Sequence, residues 1–360
     1  MSSNSGKRPD VLVFFTDQQR WDTCGCYGEN PHNLTPCLDL MAARGTRLKH
    51  SFTVQPVCCP ARASFQTGLY ALAPACYRNG ISLAPSHRTL AHHFVEAGYF
   101  TGYIGKWHLA GDDPGTLRTD PVPPRLRGGY QDLWLAVDAL EFFSHPYDFK
   151  VLDSENRVVS RPGYRVDAQT ELVLEFLDGR SRDSDRPFFL FVSYLEPHHQ
   201  NDMNRYVAPD GYADRYRGNL YVTKDLPPGK GRWLKELPDY YGACASLDEN
   251  LERVLEKLRK TGLDDDTVVL FCSDHGSHFR VRNNEYKRSC HEASIRVPTV
   301  FQGPGFDGGG VISELVSLVD WPATLLDAAG IKTPPECTER VSCLLCDEKR
   351  WNGPAKSSSS

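Results

Sequence analysis

No apolar run in this chain approaches the ~18 residues of a membrane span, so no membrane role is expected. No secretory leader is expected either. Met1 to Asp10 is polar and basic, and only Val11–Phe15 is apolar, short of the about 7–15 residues of a leader's apolar region. The chain therefore reads as cytoplasmic. Positive charge is not in excess: 41 Lys and Arg face 46 Asp and Glu, a formal net charge of −5. That argues against a nucleic-acid partner held by a global positive field. Internal repeats are absent. Cys24-x-Cys26 and Cys343-x-x-Cys346 lack a second pair at zinc-finger spacing, so zinc is not expected.

What is present is enough to build a large core. Of 360 residues, 40% are hydrophobic and 11% aromatic, which excludes wholesale disorder. Twelve cysteines in a chain without a leader read as reduced, mostly buried thiols rather than a disulfide framework.

Apolar runs alternate with amphipathic segments, the pattern of an α/β fold with a mostly parallel central sheet sandwiched by helices. Val11–Thr16, Phe100–Ile104, Pro187–Ser193 and Thr267–Ser273 read as buried strands, and a further apolar run lies near Val297–Phe301. Helices are expected at Thr35–Arg44, Thr89–Ala97 and Val166–Leu177, from Pro238 to about Lys260, and from Asp320 and Pro322 toward Gly330. Gly111–Gly129 and Asn201–Gly231, rich in Gly, Pro and charge, read as surface insertions that would shape specificity. Residues 1–335 form one hydrolase-like α/β domain on this reading. Residues 336–360 are a divergent, poorly ordered tail ending in Ser357–Ser360.

Ligands of open α/β sheets bind beyond the carboxyl ends of the strands. Asp17 and Gln18 follow the first strand, Lys106 and His108 the second, His198 and His199 the third, and Asp274 and His275 the fourth. A lone Asp there is more often a helix cap, and His275 alone could be a surface histidine; four such strand ends together point to a site. Cys58-Cys59-Pro60-Ala61-Arg62 adds a thiol just before a helix N-terminus, where backbone N–H groups favour an anion. Arg62 adds a donor fork suited to tetrahedral oxyanions. Cys59 reads as a packing thiol. The combination suggests transfer of a sulfuryl or phosphoryl group.

Cys58-x-Pro60-x-Arg62 with Thr67-Gly68 resembles the sulfatase motif. The resemblance runs from about Pro9 to Gly330 and includes Gly105-Lys106-Trp107-His108, Ser273-Asp274-His275-Gly276 and Arg296-Val297-Pro298. It implies the alkaline-phosphatase-like fold and hydrolysis of an organic sulfate ester, aryl or carbohydrate. The nucleophile would be formylglycine, made from Cys58 by a maturation enzyme. Its hydrated aldehyde attacks sulfur with one hydroxyl and expels sulfate through the other. Asp17, Gln18, Asp274, His275 and the modified Cys58 would hold one divalent metal. Oxygen donors with one imidazole suit Ca²⁺ first, then Mn²⁺, with Mg²⁺ a further option. Arg62 and Lys106 would neutralise charge, His108 would accept the proton that regenerates the aldehyde, and His198 and Lys287 would contact the sulfate and leaving oxygen. Asn79 and His199 are placed on the substrate side. Asn79 reads equally as a turn residue before Gly80, and Lys287, with Arg282 and Arg288, as a solvated basic face.

Most sulfatases carry two adjacent aspartates after the first strand, whereas the second position here is Gln18. That resembles the phosphonate monoester hydrolase and choline sulfatase branches and keeps open a phosphonate monoester or phosphodiester substrate at the same site. Family members usually continue into a smaller C-terminal subdomain. This chain is expected to stop before it, the stretch from about Cys337 being divergent, which leaves a degenerate, non-catalytic protein as a further alternative.

Overall fold

The computed structural model describes residues 8–111, 118–180, 184, 186–227, 229 and 231–334. The tail assigned to 336–360, with Cys337, Cys343 and Cys346, lies outside the described residues. Ten strands form one sheet: β1 (Asp10–Thr16), β2 (Thr46–Phe52), β3 (Phe100–Lys106), β4 (Leu133–Val137), β5 (Phe149–Leu152), β6 (Val158–Arg161), β7 (Phe188–Ser193), β8 (Thr267–Ser273), β9 (Thr299–Gln302) and β10 (Gly310–Ser317). Helices α1 (Pro36–Arg44), α2 (Cys58–Thr67), α3 (Leu90–Glu96), α4 (Leu140–Phe143) and α5 (Arg165–Asp178) precede α6 (Asp214–Arg217), α7 (Trp233–Thr261), α8 (Glu292–Ile295) and α9 (Trp321–Ala328).

The strand order is β10-β2-β9-β8-β1-β7-β3-β4-β5-β6. Its centre, β8-β1-β7-β3-β4, is entirely parallel. Phe14 pairs with Phe271 on one side and Val192 on the other, so the carboxyl ends of β8, β1, β7 and β3 reach the same edge. β9 runs antiparallel to β8 and β2, and β5 and β6 are antiparallel as well, so the sheet is mixed at its flanks.

Strands covered on both faces must be apolar at every position, and β1 shows why. Val11, Val13 and Phe15 join the core that also holds Phe65, Phe94, Phe191 and Trp321. Leu12 and Phe14 point the other way, into the core formed with Val192, Leu247, Leu251 and Phe271. All ten residues of α2 are buried, so the segment that begins with Cys58 is fixed by packing along its whole length. Thr89 caps α3 in a reciprocal box with His92. No helix among the described residues is long and apolar enough to cross a membrane.

Three expectations need correction. The long helix starts at Trp233, not Pro238, which lies inside it. Its first turn is held by burial of Trp233 and Leu237 and by the Arg232–Glu236 pair at 2.7 Å, so tertiary packing overrides the proline signal. The 201–231 stretch is no mere surface insertion. Tyr206, Tyr216 and Leu226 are buried with Trp233, Tyr240, Tyr241 and Phe279 in a third apolar cluster. In the 111–129 stretch, Val122 and Leu126 pack onto the first core.

Candidate active site

The parallel strand ends deliver the site. Asp17 leaves β1 with its amide donating to the Glu196 carbonyl at 3.2 Å, and Asp274 leaves β8 bonded to the Thr16 carbonyl at 3.1 Å. Lys106 is the last residue of β3. Cys58 begins α2, and its thiol points at this edge, 3.6 Å from Asp17 Oδ1 and 3.3 Å from His275 Nε2. Lys287 Nζ donates to Cys58 Sγ at 2.8 Å and lies 3.1 Å from His275 Nε2 and 3.3 Å from His198 Nε2. Residues separated by up to 270 positions thus meet at one point.

The carboxylates divide their oxygens. Asp17 Oδ2 receives Arg62 at 3.0 Å and Lys106 at 2.9 Å, which leaves Oδ1 facing the thiol and His275. Arg62 also donates to the Lys106 carbonyl at 3.0 Å and Ser193 Oγ at 2.6 Å. Its Nε lies 3.3 Å from Asp274 Oδ2, close enough for charge attraction but without an aligned hydrogen bond. Burial would raise the Asp17 carboxyl, as would the nearby thiolate, yet Lys106, His198 and Arg62 hold it well below its ordinary range. Burial and the neighbouring Asp17 push Asp274 up. Burial likewise opposes ionisation of Cys58, but Lys106, Lys287 and His275 prevail and hold the thiol far below its usual value.

Asp17, Cys58, Asp274 and His275 each offer a ligand atom, all within 4.8 Å of one another. His275 Nδ1 lies 2.9 Å from the Gly276 carbonyl, which orients the ring with Nε2 toward the cluster. Asp274 Oδ2 is buried and has no hydrogen-bond partner. Two carboxylates and an oriented imidazole fit a divalent cation. Gln18 stands differently: its backbone N–H donates to Asp274 Oδ1 at 3.1 Å, while its side-chain oxygen accepts the His199 backbone N–H at 3.0 Å.

A cavity of about 250 Å³ opens over the cluster, lined by Cys58, Lys287, His198, Asn79, Gln18 and His199 among others. Asn79 Oδ1 accepts the Cys59 N–H at 3.1 Å, tying the cavity wall to the first turn of α2. His199 stacks on Tyr286 at 4.1 Å, and burial together with His198 pushes it down to about 4. His108 is buried beside Cys58 in a left-handed conformation, its amide on the Asp138 carbonyl at 2.8 Å. A larger concavity of about 700 Å³, between His145 and Asp214, contains no residue of the cluster.

Several lining residues escaped the sequence reading, Glu141 and Arg280 among them. Glu141 lies 3.3 Å from Lys106; burial opposes its ionisation, but Lys106 holds it at about 2. The apolar run Leu133–Val137 was the available signal, because Asp138 and Glu141 follow it as Asp17 follows β1. Arg280 reaches the cavity from the loop after Asp274, and no periodicity marks it. Of the nine described cysteines, all unpaired, six are buried.

The family model described as Sulfatase matches residues 9–331. An ulvan-active sulfatase of Formosa agariphila is 31% identical over 335 residues, which cover 91% of this chain and 63% of that protein. The chain thus spans less than two thirds of that relative's length. The solved structure of yidJ from Bacteroides fragilis superposes with a TM-score of 0.82 at 25% identity, covering 94% of this chain and 78% of that one. The phosphonate monoester hydrolase of Agrobacterium radiobacter gives 0.62 at 25% identity, covering 90% and 74%.

Proposed function

The chain belongs to the sulfatase family, and from that premise we propose that it hydrolyses an organic sulfate ester, aryl or carbohydrate, to an alcohol and sulfate. One observation carries the reading. The Cys58 side chain lies at the floor of the cavity, within 3.6 Å of a carboxylate, an imidazole and an ammonium that all face it. Sγ marks the position that an oxygen of the modified side chain would take.

A sulfate ester brings negative oxygens that repel any nucleophile, so cations must offset them. Lys287, shared among Cys58, His198 and His275, faces the place of the transferring group. Arg62 and Lys106 hold Asp17 ionised behind it. A divalent metal on Asp17, Asp274 and His275, Ca²⁺ by preference, would add Lewis-acid stabilisation and fix the nucleophile. Formylglycine at position 58 would supply a hydrated aldehyde, one hydroxyl to attack sulfur and a second to release sulfate. A maturation enzyme must therefore act on Cys58. His108, buried within reach of the Cys58 side chain, is the base for the second hydroxyl. His198 lines the cavity with its Nδ1 uncommitted and would give the leaving oxygen its proton.

With protein co-produced with a maturation enzyme, hydrolysis of 4-nitrophenyl sulfate is expected, and Cys58→Ala should lower it by about 10³-fold or more. Turnover retained by Cys58→Ala would contradict the reading. The amides of Gln18 and Asn79 at the cavity favour a second reading, a phosphonate monoester or phosphodiester substrate. The likeness to the Agrobacterium hydrolase supports it as well. Parallel assays with a phosphate diester separate the two.

A further inference from the structure

The roles above leave one cation of the cavity with neither a task nor a carboxylate partner among the described residues. Arg280 lines the same 250 Å³ space as Cys58, His198 and Lys287. Its guanidinium lies over the Tyr286 ring, 4.4 Å from the centroid, and Tyr286 stacks in turn on His199. One terminal nitrogen donates to Asn204 Oδ1 at 3.3 Å, while Nε is buried without a hydrogen-bond partner. Among the described residues no carboxylate pairs with it. Glu285, on the same wall, is taken by Arg288 at 2.6 Å, and Glu236, bonded to Tyr286, by Arg232 at 2.7 Å.

The backbone is arranged to present this side chain. Phe279 and Arg280 have φ of 50° and 60°, both in the left-handed region that side-chain-bearing residues avoid. Such conformations persist only where the surroundings over-determine them, and they gather at ligand sites. Phe279 is locked from behind against Tyr206 and Tyr240, with ring centroids 5.5 and 5.0 Å away. The adjacent Val281 amide bonds to the His278 carbonyl at 3.0 Å. Arg280 is therefore held forward over a flat aromatic platform, with donors left over.

A planar guanidinium fork, stacked and unpaired, suits a carboxylate or a sulfate. We propose that Arg280 binds a second anionic group on the leaving part of the ester, making dianionic sulfate esters the preferred substrates. Lys287 cannot serve this purpose, being committed to Cys58, His198 and His275, and Arg288 is bound to Glu285. The inference rests on the sulfate-ester reading and adds the substrate's second charge to it.

Aryl sulfonates occupy a sulfate site without being turned over, so equilibrium binding tests the idea apart from catalysis. Calorimetry on the full chain would compare benzenesulfonate, 3-sulfobenzoate and benzene-1,3-disulfonate. At least one dianion is expected to bind about tenfold tighter than benzenesulfonate or better. A gain for sulfobenzoate alone marks a carboxylate, and for the disulfonate alone a second sulfate. In Arg280→Asn, a residue that tolerates positive φ, the ratio should fall to about one, and Arg280→Lys should keep part of it. The inference is overturned if the dianions gain nothing over benzenesulfonate, or if their advantage survives in Arg280→Asn. Failure of benzenesulfonate itself to bind overturns the sulfate-ester reading, and the inference falls with it.

Discussion

Asp17 carries the electrostatics of the site on its two oxygens. One takes Arg62 and Lys106, and the other looks toward Cys58 and His275. A buried carboxylate is stable only with such partners, and the division leaves a ligand atom free. Asp274 offers the second one. Wild-type protein is expected to bind about one equivalent of divalent cation per chain, read by elemental analysis after dialysis. Losing even an outer-shell partner of a metal ligand costs about 10–100-fold in affinity. Asp274→Asn should therefore weaken binding by at least that, as followed by calorimetric titration of the chelator-treated protein. Unchanged affinity would remove Asp274 from the ligand set. These residues were legible in the sequence because an apolar run that ends abruptly on Asp, Lys or His has few structural explanations when it recurs on four strands. Glu141 and Arg280 were not, the first because β4 had not been recognised as a strand, the second because its loop folds back from Asp274 to the cavity.

Among the elements, β3 shows how tightly the strands must approach to bring Lys106 to the edge. Gly105, just before it, has φ of 112°, and a Cβ there would lie 2.0 Å from the Ser193 carbonyl of β7 and 2.6 Å from Gln169 Nε2. Gly105→Ala should force β3 from β7, costing at least about 2 kcal/mol of stability and shifting Lys106 away from Asp17. Urea unfolding measures the first effect, and a wild-type midpoint in the variant would contradict it. The buried central strands and α3 could be read from apolar runs and caps. The flanking strands could not. β2 mixes Arg, Lys and His into its pattern, and β6 and β10 are largely exposed, so neither continuous nor alternating hydrophobicity betrays them.

Over the whole molecule, the two cores on either face of the sheet are accompanied by a third, separate aromatic cluster built from Tyr206, Tyr216, Leu226 and the start of α7. Composition marked that stretch as loop because Gly, Pro and charge dominate it; the scattered aromatics that bury it have no period to reveal them. Its clasp is Asp225, which takes Arg20 at 2.7 and 3.0 Å while Arg20 also holds Asp22. Burial opposes the Asp225 charge, but Arg20 wins and holds the carboxyl below its ordinary 3.8. A depressed acid contributes stability above its unfolded value and loses it as pH falls through the folded one. Asp225→Asn should thus cost about 1.5–3 kcal/mol at neutral pH, a gap that closes below pH 3.8. Urea midpoints at about pH 7 and about pH 3 test the sign, and a gap that widened in acid would contradict it. The central claim is that the fold aims residue 58 at the cation cluster as an oxidised nucleophile. Peptide mass spectrometry of protein that turns over a sulfate ester tests this most directly. The peptide containing Cys58 should be about 18 Da lighter than its cysteine form, whereas fully active protein with an intact Cys58 thiol would contradict the account.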